Sequence, residues 1–132
     1  MSTEPAEWVL VKITRPLNGP AVIYRGPSER SCAVVRFNAA AVAALGLKAG
    51  MRITVYRPTK PNGKAALAIG THIDGVALNG KGGSLQCGGR AFTQAFEAIG
   101  KRYATVKFSI GPAPFVSGML ATLNPVESEL AP

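Results

Sequence analysis

Residues 35–46 read Val35-Arg36-Phe37-Asn38-Ala39-Ala40-Ala41-Val42-Ala43-Ala44-Leu45-Gly46, and a change of period inside this stretch decides the fold. The alternating run that ends at Phe37 predicts a strand facing water on one side. Asn38 is a good N-cap, because its side-chain oxygen can take an N–H of the first helical turn. The alanine-rich run behind it predicts a short helix, and Gly46 sits at the C′ position, where a left-handed residue ends a helix cheaply. Met51-Arg52-Ile53-Thr54-Val55-Tyr56-Arg57 then returns to period two and predicts a longer strand.

The same order recurs downstream. A short strand near residue 84 leads to a helix from about Arg90 to Ile99, whose Phe92, Ala95, Phe96 and Ile99 fall at i, i+3, i+4 and i+7 on one face. Gly100 ends that helix, and an alternating strand follows from Tyr103 to Ile110. With Val42 matching Phe92 and Gly46 matching Gly100, the two halves suggest a duplicated strand-helix-strand-strand unit. Further period-two runs cover Trp8 to Ile13, Ala21 to Arg25, Ala33 to Phe37, Ala65 to Ile69 and Gly118 to Leu123.

Lys60-Pro61-Asn62-Gly63-Lys64 predicts a hairpin turn, while Gly75 to Gly89, with six glycines, reads as a flexible basic connector. The expected fold is α+β, a mostly antiparallel sheet with two short helices on one side. Residues 1–7 and the acidic 124–132 read as tails around one basic domain at 8–123.

A chain of 132 residues fits one domain, and 47% hydrophobic against 17% charged residues excludes a disordered composition. No apolar run approaches the roughly 20 residues of a membrane span, and Met1-Ser2-Thr3-Glu4-Pro5 lacks the features of a signal peptide. A cytoplasmic protein is expected. Cys32 and Cys87 form no C-x-x-C pair and one His cannot complete a zinc site, so both thiols read as buried small hydrophobes and no metal or cofactor is expected.

Charge carries the functional signal. The net charge is +8, and Glu4, Glu7, Glu127 and Glu129 lie in the terminal segments. Only Glu29, Asp74 and Glu97 remain in the body against all 15 Lys and Arg, a net +12. Such a body calls for a polyanion, with nucleic acid ahead of an anionic membrane surface.

Alternation places Arg52, Thr54 and Tyr56 on one outer strand face, and Tyr103, Thr105, Lys107 and Ser109 on another, opposite inward Ala104, Val106, Phe108 and Ile110. Trp8 and Lys12 share a face of the first run. Exposed rings among cations suit unstacked bases and the phosphates between them. The candidate nucleic-acid contacts are therefore Trp8, Lys12, Arg52, Tyr56, Arg57, Lys60, Lys64, Lys81, Arg90, Lys101, Arg102, Tyr103 and Lys107.

Two other patterns carry less. Gly75-Val76-Ala77-Leu78-Asn79-Gly80-Lys81-Gly82 nearly spells a phosphate-binding loop, but Gly82 replaces the magnesium-binding hydroxyl and no strand-to-helix context surrounds it. His72 and Asp74 are the one acid–base pair close in sequence, and they read as a surface turn, so no catalytic residue is assigned. The acidic tail is either a solvated terminus or an occupant of the basic groove that nucleic acid displaces.

The stretch from Val35 to Ile53 resembles the strand-helix-Gly-strand unit of swapped-hairpin and double-psi barrel proteins, although Met51 stands where those families commonly place Asp. The basic body, Phe37-Asn38-Ala39, Gly82-Gly83-Ser84-Leu85-Gln86-Cys87 and the acidic tail together resemble Drc-type phage single-stranded-DNA-binding cofactors of an RNA polymerase. That second resemblance implies binding of melted promoter DNA, recruitment of a polymerase and location in the host cytoplasm.

The expectation is a non-enzymatic single-stranded-DNA-binding protein with little sequence preference, acting as a homo-oligomer without membrane contact. Two alternatives stand beside it: a barrel-type regulator of double-stranded DNA, and a small interaction protein docking on an acidic partner protein.

Overall fold

The computed structural model describes residues 19–57, 66–80, 83–113 and 118–131. The expected strands Trp8 to Ile13 and the turn Lys60 to Lys64, like the tail at 1–7, lie outside them. In chain order the elements are β1 (Ala21–Arg25), β2 (Val34–Phe37), α1 (Ala39–Leu45), β3 (Arg52–Tyr56), β4 (Leu67–Thr71), β5 (Val76–Ala77), β6 (Leu85–Gly88), α2 (Arg90–Glu97), β7 (Tyr103–Gly111) and β8 (Met119–Leu130). The α+β class holds: eight strands form one sheet in the order β5-β3-β4-β8-β7-β1-β2-β6, and every pairing between them is antiparallel.

The sheet nearly closes on itself. Just past β5, Asn79 and Gln86 exchange two backbone hydrogen bonds, of 2.8 and 2.7 Å, which bring the two ends of the strand order together. Curling a sheet into a barrel satisfies strand edges that would otherwise be left open.

The order of strands around this ring is unchanged when β1–β4 are exchanged with β5–β8. β2 pairs with its counterpart β6, and β4 with its counterpart β8. β1 lies between β2 and β7, as β5 lies between β3 and, through Asn79, β6. The duplicated unit thus gains one strand at its front relative to the strand-helix-strand-strand reading.

Local chemistry explains the helices. Asn38 Oδ1 accepts from the Ala41 N–H at 2.8 Å and from the Ala21 N–H at 3.1 Å, so one side chain caps α1 and fastens it to β1. Gly46 ends α1 at φ 65°, a left-handed conformation in which a side chain would be strained. In α2, the apolar face delivers Phe92, Ala95 and Phe96 to the core.

There, Phe96 meets Tyr24 and Tyr103 edge-to-face at ring separations of 5.0 Å and stacks near Phe108 at 6.4 Å. Val22, Val35, Phe37, Ile69, Val106, Ala121 and Leu123 add core residues from five strands, and Ile53, Leu85 and Cys87 bring in β3 and β6. At the β4–β8 seam, Gly70 carries no side chain because a Cβ there would lie 2.5 Å from the Gly118 carbonyl oxygen and 3.1 Å from the Tyr56 ring.

Three expectations are corrected. The glycine-rich 75–89 segment is not a plain connector: it supplies β5, β6 and the bridge that draws the ring together. The acidic C-terminus is not a tail outside the core. β8 runs on past Leu123 to Leu130 and pairs along β7, with Lys107 opposite Glu127, Thr105 opposite Glu129 and Tyr103 opposite Leu130. Finally, the β7–β8 register shifts between Tyr103 and Thr105, so Ala104 is bulged. The bulge turns Tyr103 inward, at 8% exposure, against the reading that set it on the outer face and Ala104 in the core.

Ending the chain after Asn124 would remove the ladder that covers half of β7. At about 0.5–1.5 kcal/mol for each lost hydrogen bond, we expect a drop of about 3 kcal/mol in unfolding free energy by urea titration. A dispensable tail would leave the midpoint where it is. Phe96→Ala is expected to cost about 3–5 kcal/mol in the same titration, because its ring joins α2 to both β1 and β7.

Candidate nucleic-acid interface

In a strand flanked by inward Val22 and Tyr24, the side chains of Ile23 and Arg25 face out, and β2 presents Val34 and Arg36 in the same way. Register aligns these residues across the sheet. One outer row runs Gln86, Arg36, Ile23, Lys107, Glu127 over β6, β2, β1, β7 and β8. The next runs Gly88, Val34, Arg25, Thr105, Glu129.

Arg25 and Arg36 are therefore diagonal neighbours on adjacent strands, roughly 7–8 Å apart at the backbone. Ile23, Val34 and Gln86 line a shallow groove of about 260 Å³ with them. Both arginines are exposed. Among the described residues the ion pair is Lys107 with Glu127, Nζ to Oε2 at 3.6 Å, with the lysine half-buried and the glutamate exposed. Such a pair is worth at most about 1 kcal/mol and yields readily to a competing anion. The acidic segment thus meets the basic face from a paired strand rather than as a loose tail.

The residues anticipated from sequence do not gather on this face. Arg52, Tyr56 and Arg57 belong to β3 and its end, four places from β1 in the ring of eight and so on the opposite side. There Arg52 donates from Nη1 to the Gly75 carbonyl at 3.0 Å, which ties it to the turn before β5. Tyr56 lies half-buried beside Ala68, Met119 and Thr122, with Arg57 at the rim of a hollow of about 280 Å³.

Arg90 is exposed at the first turn of α2. Lys101 and Arg102 edge a cleft between α2 and β7. Lys107 alone of the expected set shares the face of Arg25 and Arg36. Tyr103 supports the core and offers no ring to a base. Trp8, Lys12, Lys60, Lys64 and Lys81 lie outside the described residues.

Arg25 and Arg36 were legible in principle. The alternation that exposes Arg52 in β3 exposes Arg25 in Val22-Ile23-Tyr24-Arg25 and Arg36 in Val34-Val35-Arg36-Phe37. Neither run carries an outward aromatic, so the signal for a base-stacking face is weaker there.

His72 and Asp74 form a turn, with the Asp74 N–H donating to His72 Nδ1 at 3.0 Å and the Gly75 N–H to the His72 carbonyl at 2.9 Å. Of the loop resembling a phosphate cradle, Val76 and Ala77 form β5, Lys81 and Gly82 lie outside the described residues, and the next element is β6 rather than a helix. Among the described residues no group of three or more His, Cys, Asp or Glu side chains could hold a metal ion, and no helix is long and apolar enough to cross a membrane.

The two thiols differ, against the expectation that both are buried. Cys87 is buried in β6, and burial pushes its pKa up to about 11. Cys32 is exposed in the loop after β1. A thiol-specific chromogenic reagent at pH 8 should therefore label one thiol rapidly in the native protein and the second only in denaturant, and Cys32→Ser should abolish the fast phase. Two fast thiols would contradict the packing of β6.

Compared with models of protein families, with curated proteins and with solved structures, the chain matches none.

Proposed function

We propose that the protein binds single-stranded DNA, with little sequence preference, across the outer face of β6, β2, β1 and β7. One observation carries the reading: Arg25 and Arg36 sit diagonally on adjacent strands, exposed and outside any ion pair among the described residues, with Ile23 and Val34 between them. Guanidinium groups take phosphate oxygens in fixed, two-pronged geometry. The aliphatic surface between them receives the faces of unstacked bases, and Lys107 adds a third phosphate contact once Glu127 is displaced.

Shape favours a single strand over a duplex. The outside of a ring of strands is convex, and double-stranded DNA, with a persistence length of about 50 nm, meets a convex surface over only a short length. A flexible strand follows the curve. A net charge of +8 supplies the long-range attraction, which is sequence-independent and sensitive to salt.

Anisotropy titrations of a labelled oligonucleotide, single-stranded and duplex, at several salt concentrations test the proposal. Wild-type protein should prefer the single strand. Arg25→Ala and Arg36→Ala should each weaken binding uniformly across sequences and lower the slope of log K against log salt by about 0.7. Unchanged slopes in both variants would remove this face as the site. Preference for the duplex would point to a regulator of double-stranded DNA, and absence of binding at low salt to an acidic protein as partner.

A further inference from the structure

The outer face that carries Arg25 and Arg36 is basic at one edge and acidic at the other. From β2 to β8 one row runs Arg36, Ile23, Lys107, Glu127, and the next runs Val34, Arg25, Thr105, Glu129. Arg25, Arg36, Glu127 and Glu129 are exposed, while Ile23, Val34, Thr105 and Lys107 between them are half-buried. Arg36 and Glu127 lie three strand spacings apart, about 14 Å at roughly 4.8 Å each. Among the described residues no ion pair joins either arginine to either glutamate.

A face of this kind is complementary to itself. A two-fold axis running along the strands between β1 and β7 keeps every residue at its height and exchanges the two edges, so a second copy lays each row on its own reverse. Arg36 then faces Glu127 of the second copy, twice by symmetry, and Ile23 covers the aliphatic stem of the second copy's Lys107. Arg25 faces Thr105 of the second copy and stands one strand spacing from its Glu129. No directly opposed pair sets like charge on like charge.

Two forces limit the strength of such a contact. The net charge of +8 makes the copies repel, but at about 0.15 M salt the Debye length is about 8 Å, so charges far from the face are screened and opposed pairs are not. The face is also convex, which confines contact to four strands and keeps the buried area in the range of transient interfaces. An acidic foreign protein would use the arginine edge and leave the glutamates facing its own charge. A second copy uses both edges.

We propose that this face binds a second copy of the chain, as a weak two-fold dimer held by Arg36–Glu127 pairs. The dimer goes beyond the single-strand reading and does not depend on it; its consequence for binding does rest on that reading. A DNA strand and a second copy take the same arginines, so each excludes the other and nucleic acid converts dimer into monomer.

Sedimentation of the full chain over a concentration series reaching about 0.5 mM, enough to show any dimer tighter than about 1 mM, tests the proposal. Wild type should dimerise. Arg36→Glu and Glu127→Arg should each run as a monomer, because each sets like charges face to face. An equimolar mixture of the two should dimerise again, since both contacts then join opposite charges. Each variant keeps a net positive charge, so bulk attraction between them does not account for the recovery. Both positions are exposed, and near-wild-type urea midpoints will show the fold intact.

A wild type that stays monomeric throughout the series overturns the proposal, as does either variant dimerising alone or a mixture that does not associate. A single-stranded oligonucleotide added to the dimer should dissolve it. If the oligonucleotide binds and the dimer persists, the dimer stands and the single-strand reading loses this face. If the chain binds DNA and never dimerises, the single-strand reading stands and the dimer falls.

Discussion

The Phe96 ring is the contact on which the arrangement depends. It lies edge-on to Tyr24 of β1 and Tyr103 of β7 and near Phe108, so one helical side chain registers three partners on two adjacent strands. Aromatic pairs of this geometry add about 0.5–1.5 kcal/mol each beyond the area they bury. The ring of strands is drawn shut by a single backbone bridge at Asn79 and Gln86. A closure that slight holds only if the interior is filled, and α2 adds Phe92, Ala95 and Phe96 to the side chains that the strands send inward.

The same contact sets the surface. To bring Tyr103 under Phe96, β7 must gain a residue, and it does so at the Ala104 bulge. From that point the alternation is fixed: Val106 and Phe108 enter the core, while Thr105, Lys107 and Ser109 face out beside β1. Without the bulge, either Tyr103 or the pair Val106 and Phe108 would have to leave the interior. Core packing therefore decides which cations share a face with Arg25 and Arg36.

Sequence periodicity made the scaffold readable where local chemistry is strong. Asn38 and Gly46 bound α1, the spacing of Phe92 and Phe96 marks the buried stripe of α2, and the alternation of Arg52 to Tyr56 marks β3. It failed where tertiary context overrides local preference. A bulge leaves no trace in the letters Tyr103-Ala104-Thr105, so simple alternation put a core tyrosine in solvent.

β8 beyond Leu123 contains Pro125 and two glutamates, all poor strand formers, yet it is held by a complete partner strand. The glycines around β6 signal flexibility to a local reading, although Leu85 and Cys87 between them are buried. The candidate site was the least legible part. Outward cations could be recognised strand by strand, but which strands share a side of the ring depends on a pairing order that skips along the chain.

That pairing order also separates shape from charge. Exchange of β1–β4 with β5–β8 preserves the ring, yet the counterpart of β1 is the two-residue β5, and the counterpart of β2 is β6, whose outward residue opposite Arg36 is Gln86. Among the described residues the paired arginines consequently lie on one side. On the opposite side Arg52 is tied to the Gly75 carbonyl, and Tyr56 is tucked over the glycine at the β4–β8 seam. The two similar halves together build one nearly closed, convex ring. Among the described residues Arg25 and Arg36 set one face of that body apart, and β8 borders it with glutamates, so a strand bound as proposed would have to outcompete the protein's own carboxylates.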